Sequence, residues 1–152
     1  MHAIHRLLAV AIAVAPLAAI AQQPQAPLAS QPTNWQGVTA DITEFKRKGN
    51  TLTVRVRLHN DGPKDVTGEV NYEKCYLLDA GAGKKYEVLT DNEKNSIAAT
   101  NYGNHEWHEK VASGQSQTIW MKFPAPPATV KSVSLSIDNT PPFDDLAIQD
   151  AP

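Results

Sequence analysis

The chain has 152 residues, with 14 Lys and Arg against 16 Asp and Glu, a formal charge of −2, and one cysteine. That balance gives no basis for binding nucleic acid or a membrane surface through a basic patch, and a single cysteine excludes an internal disulfide. The length suits one domain with one hydrophobic core.

The first residues read as an address. Arg6 carries positive charge beside His2 and His5, Leu7 to Ile20 is apolar, and Ala19-Ile20-Ala21 is the small-x-small pattern of a cleavage site. About 14 apolar residues are too few for a spanning helix, which takes roughly 20. The expectation is a signal peptide over 1–21 and a periplasmic or secreted protein. No cysteine follows the apolar run, which excludes lipoprotein processing, and no other stretch is apolar enough to span a membrane. Cleavage after Ala21 removes 21 of the 152 residues and leaves 131, with 13 basic and 16 acidic side chains.

Residues 22–34 (QQPQAPLASQPTN) hold almost no charge and no aromatic ring, so they read as a flexible leader rich in Pro, Gln and Ala. The domain is expected over 35–150. Within it the hydrophobic period is two. Leu52, Val54, Val56 and Leu58 alternate with polar residues, as do Ile119, Met121 and Phe123, then Val133, Leu135 and Ile137. Each such side chain contributes about 1.5–3 kcal/mol when fully buried. Further strands are expected at Val38–Lys46, Val70–Asp79, Lys84–Leu89 and near Leu146–Ile148. Lys48-Gly49-Asn50, Asn60-Asp61-Gly62-Pro63, Ala80-Gly81-Ala82-Gly83, Ala112-Ser113-Gly114 and Pro124-Ala125-Pro126-Pro127 supply the turns between them. The fold class is therefore all-β: an immunoglobulin-like antiparallel β-sandwich of seven or eight strands. Cys75 falls within a strand and reads as a buried apolar residue.

The order of these signals carries a resemblance. Leu58-His59-Asn60-Asp61-Gly62 ends one strand, and Cys75-Tyr76-Leu77-Leu78-Asp79 passes through a glycine turn into Lys84-Lys85-Tyr86. Ser113-Gly114-Gln115 leads into Thr118-Ile119-Trp120-Met121-Lys122-Phe123, and Val130-Lys131-Ser132-Val133-Ser134-Leu135 closes the series. The region from Val38 to Ile148 resembles the secreted, telokin-like immunoglobulin-type bacterial domains of unknown function. The resemblance implies a fold and an extracytoplasmic setting, and it carries over no catalytic residue.

Thr90 to Lys110 is the least core-like part of the domain and gathers contact-making residues. Tyr102, His105, Trp107 and His108 are the candidate partner-binding residues. His105 and His108 would share a metal ion only on a helix, where three apart is one face; in a strand they diverge. With β pattern around them they read as surface histidines. Met121 belongs to a core row, which argues against a methionine site for Cu(I). The run from Asp138 to Asp145 has oxygen donors without the regular spacing of a calcium loop. Ser113, His105 and Asp91 could be drawn as a triad, yet no nucleophile-elbow pattern surrounds any serine. Arg55, Arg57, Trp120 and Lys122 read as an ordinary wet sheet face. No cofactor is expected.

The function these residues point to is a non-enzymatic extracytoplasmic binding or protein-interaction module, with a protein or other cell-envelope component as partner. Two alternatives are a periplasmic metal-binding accessory protein using His105 and His108, and a carbohydrate-binding module centred on Trp107.

Overall fold

The computed structural model describes residues 26–152. The expected signal peptide, and residues 22–25 of the expected leader, lie outside the described residues.

Eleven strands are built in chain order: β1 (Ala29–Pro32), β2 (Val38–Lys48), β3 (Thr51–Asn60), β4 (Val66–Asn71), β5 (Tyr76–Asp79), β6 (Lys84–Glu87), β7 (Glu106–Val111), β8 (Ser116–Pro124), β9 (Ser132–Ser136), β10 (Phe143–Ala147) and β11 (Gln149–Asp150). A single 3-10 turn, Tyr72–Lys74, separates β4 from β5. The strands form three sheets. One runs β1-β2-β3-β8 with β11 added parallel to β2, the second runs β10-β9-β5-β6, and the third is the pair β4-β7. All other pairings are antiparallel. The architecture is all-β and is not a closed barrel.

The period-two rows set the core. All nine inward residues of the β3, β8 and β9 rows are buried, as is Ile137 just past β9, together with Val38, Ala40, Ile42 and Phe45 of β2. They pack as one cluster with Val70, Tyr72, Cys75, Leu77, Trp107 and Phe143. Lys48-Gly49-Asn50 makes the expected hairpin: Gly49 takes a left-handed φ of 56° and Lys48 pairs with Thr51.

Four expectations are corrected. The seven or eight antiparallel strands expected are eleven among the described residues, one of them parallel to its neighbour, because short main-chain-held strands such as β1 and β11 carry no hydrophobic alternation. The flexible leader over 22–34 contains β1, held on β2 with Ala29 opposite Ile42 and Pro32 opposite Thr39. Side-chain composition misses it because its attachment is through main-chain bonds, reinforced by Ser30 Oγ donating to Asp41 Oδ1 at 2.6 Å. The single strand expected at Val70–Asp79 is two. Asn71 bends the chain, its side chain accepting from Glu73 N at 2.9 Å while its own N–H donates to Asp138 Oδ2 at 3.1 Å. The buried Tyr72 then anchors the corner by donating from its hydroxyl to the carbonyl of Ala99 at 3.1 Å. Finally, Thr90–Lys110, expected as the least core-like part of the domain, contributes Ala98 and Trp107 to the core. Glu106 to Lys110 belongs to β7, and the stretch from Leu89 to Ala99 bonds along the edge of β8.

Candidate interaction surface

The four sequence candidates part company in the structure. Trp107 is only 4% exposed and belongs to the core, so it is corrected from a contact residue to a packing residue. It sits opposite Val70 in the β4–β7 pair and above Gly68, where a Cβ would lie 2.9 Å from Trp107 Cζ3. Without an exposed Trp107 ring, the stacking platform for a sugar loses its centre.

Tyr102 and His108 come together. A tight turn brings the N–H groups of Asn101 and Tyr102 onto the carbonyl of Glu106 at 3.0 and 3.1 Å, with Gly103 at φ 63° at its tip. Asn101 clamps the turn by accepting from the His108 N–H through Oδ1 at 2.7 Å. Tyr102 then stands edge-on to the His108 imidazole, ring centres 5.2 Å apart and planes at 85°. At 60% exposure it is the most exposed large hydrophobic side chain among the described residues. Glu69 lies opposite His108 across the β4–β7 pair. Asn101 was absent from the sequence candidates; an Asn just before an aromatic-Gly turn is the signal that marks it.

His105 has a different set of neighbours. Its Nδ1 is 2.9 Å from Ser96 Oγ, its Nε2 is 4.0 Å from Glu73 Oε1, and its carbonyl accepts from Tyr72 N. It lines a cavity of about 260 Å³ with Tyr72, Glu73, Glu87, Val88 and Ser96. Among the described residues, no three His, Cys, Asp or Glu side chains gather as a metal site.

Ser113, His105 and Asp91 are not brought together: Ser113 donates to the carbonyl of Gly62, and Asp91 accepts from Asn95. A different trio does line up. Ser116 Oγ is 2.7 Å from His59 Nδ1, and His59 Nε2 is 2.8 Å from Asp61 Oδ1. The pairing of β3 with β8, which puts His59 opposite Ser116, creates it. Acyl transfer also needs amide donors aimed at the developing oxyanion. The turn amides before Ser116 are committed elsewhere: Ser113 N to Asp65, Gly114 N to Asn60 and Gln115 N to Ala112. Asp61 is also largely in water, its side chain 73% exposed.

On the outer face of the first sheet, Arg55 stands opposite Trp120 and pairs with Glu44 at 3.3 Å, while Arg57 pairs with Asp41 at 2.6 Å. These charges are satisfied within the face. Cys75 is buried, and burial pushes its thiol up to about 12, so it stays protonated near neutral pH. Among the described residues, no helix is long and apolar enough to cross a membrane. The chain matches no family model, no curated protein and no solved structure.

Proposed function

We propose that this chain is a non-enzymatic interaction module of the immunoglobulin-like sandwich type that works outside the cytoplasm and engages a protein or other envelope component through Tyr102 and His108. The observation that carries the reading is the mounting of Tyr102. A large aromatic side chain left 60% exposed on a turn clamped by its own backbone and by Asn101 is a pre-ordered contact, which binds at low entropic cost. The extracytoplasmic setting rests on the sequence of residues 1–21, and the sandwich type on the three sheets sharing one core.

A photo-crosslinking amino acid at position 102, used in cells, tests this. The expected result is a discrete crosslinked product in the envelope fraction that disappears when His108→Ala is added and the domain stays folded. Crosslinking indistinguishable from that at an unrelated surface position such as Lys64 would remove Tyr102 from the function.

A further inference from the structure

Strands at the edge of a sheet carry outward main-chain groups that invite another strand, and folds blunt such edges one by one. This fold does so at most of its edges. The edge of β8 is covered by Leu89 N on the Lys122 carbonyl, Lys122 N on the Ile97 carbonyl and Ala99 N on the Trp120 carbonyl. β4 is closed by Asp138, which accepts from Asn71 N, and by Asn139, which donates to the Glu69 carbonyl. β7 is closed by Asn101 at His108 N and by Gln117 at the Lys110 carbonyl. β10 shifts register between Phe143 and Leu146, with Asp145 at φ 52°. β1 ends in proline.

β6 lacks these coverings; what blunts it is its length of four residues and its two lysines. Lys84-Lys85-Tyr86-Glu87 contains neither proline nor glycine and keeps register with β5 from Lys84↔Asp79 to Glu87↔Tyr76. Among the described residues its main chain bonds to nothing but β5; the next bonds begin at Leu89. A groove of about 570 Å³ runs beside it, lined by β6 itself, by Val88, Leu89 and Thr90, and by Pro124 and Ala125 at the end of β8.

From this geometry we infer that β6 is a self-pairing edge: two copies of the chain join β6 to β6, antiparallel, about a two-fold axis. An axis perpendicular to the sheet keeps both cores on the same side, so only registers that pair residues of one face are allowed. With Tyr86 on the axis opposite its own copy, Lys85 of each chain faces Glu87 of the other. With Lys85 on the axis, ammonium would face ammonium. Charge therefore selects one register, worth two opposite-charge cross-strand pairs. Lys85 and Glu87 already lie on one exposed face, 3.2 Å apart within their own strand. Edge lysines ordinarily repel an incoming strand; here Glu87 of the second copy cancels Lys85. Four residues per edge fall short of the area of a permanent interface, about 1,000 Å² or more, so the dimer is weak and concentration-dependent. This pairing is independent of Tyr102.

Sedimentation velocity over a concentration series tests it. The expected result is a monomer–dimer equilibrium weakened about tenfold or more by Lys85→Glu, which sets four carboxylates across the axis. The double variant K85E/E87K rebuilds both pairs with signs exchanged and returns the dissociation constant to within about threefold of the parent. A protein monomeric at every concentration overturns the proposal. So does a dimer that Lys85→Glu leaves intact, or one that the double variant fails to restore.

Discussion

Arg47 and Asp150 form a two-pronged ion pair across the end of the first sheet, Nε to Oδ1 at 2.6 Å and Nη2 to Oδ2 at 3.1 Å. Arg47 is 5% exposed, and its Nη1 donates to the carbonyls of Pro126, Pro127 and Val130 at 3.0, 2.8 and 3.2 Å. One guanidinium thus holds β11 and the proline-rich connection to β2. Arg47→Ala strands three carbonyls and is expected to cost about 2–4 kcal/mol in denaturant unfolding. Arg47→Lys should recover only part, since one ammonium cannot reproduce the fork. A loss under about 0.5 kcal/mol for Arg47→Ala would show the connection holds itself.

The same pair sets a pH dependence. The hydrogen bond from Arg47 holds the Asp150 carboxyl below the usual carboxylate range, and the N–H of Ser113, then Lys110, does so for Asp65. Groups with lowered folded pKa add stability that is present above the ordinary carboxylate value near 4 and is lost as pH falls through the lower folded value. Urea unfolding at a series of pH values should show that acid loss, with a shallower slope in Asp150→Asn. An unchanged slope would exclude Asp150 as a contributor.

Trp107 and Tyr102 are predicted to separate stability from recognition. Trp107→Ala opens a cavity in the core and should cost about 3–5 kcal/mol. Tyr102→Ala removes an exposed ring and should stay within about 0.5 kcal/mol of the parent. Thermal unfolding of the two variants side by side decides it; comparable losses would mean the Asn101 turn is structural rather than presented.

Gly68 is where Trp107 gains its room. An added methyl would lie 2.9 Å from Trp107 and 3.3 Å from Trp35. Gly68→Ala is therefore expected to destabilise by about 1–3 kcal/mol through displaced indoles, read as a change in tryptophan fluorescence with a lower unfolding midpoint. An unaltered emission spectrum would mean the indoles do not move.

Cys75 should resist alkylation in the native protein and react at once when unfolded. Its thiol is buried and its pKa is pushed up to about 12 by that burial. Labelling with iodoacetamide at pH 8, with and without denaturant, measures this. Fast native labelling would mean that the Asn71–Cys75 corner opens locally.

What the sequence made legible was whatever one strand states by itself. The rows of β3, β8 and β9 alternate without interruption, and every inward residue is buried. Trp107 was misread because four charged or imidazole-bearing neighbours, Glu106, His108, Glu109 and Lys110, surround it, and its apolar partners are remote: Gly68 and Val70 across the pair. β1 escaped notice because main-chain bonds to β2 hold it, and these leave no pattern in composition. Tyr102 and His108 were visible as residue types; their stacking depends on the Asn101 clamp, a contact between a turn and a strand. The Ser116–His59–Asp61 alignment needed the β3–β8 register, which no local pattern contains.

One flank of β2 is shared, its first half paired with β1 and its second half with β11, on either side of the register shift between Ile42 and Glu44. The first and last strands of the described fold are therefore stitched to the same rail. Residue 28 leaves β2 beside Ile42 and residue 151 beside Arg47, both toward the same end of β2, so tension between them pulls β11 lengthwise but turns β1 back on itself and peels it bond by bond. Under such a load the two seams differ: the β1 ladder is lost one bond at a time, and the β11 ladder all at once.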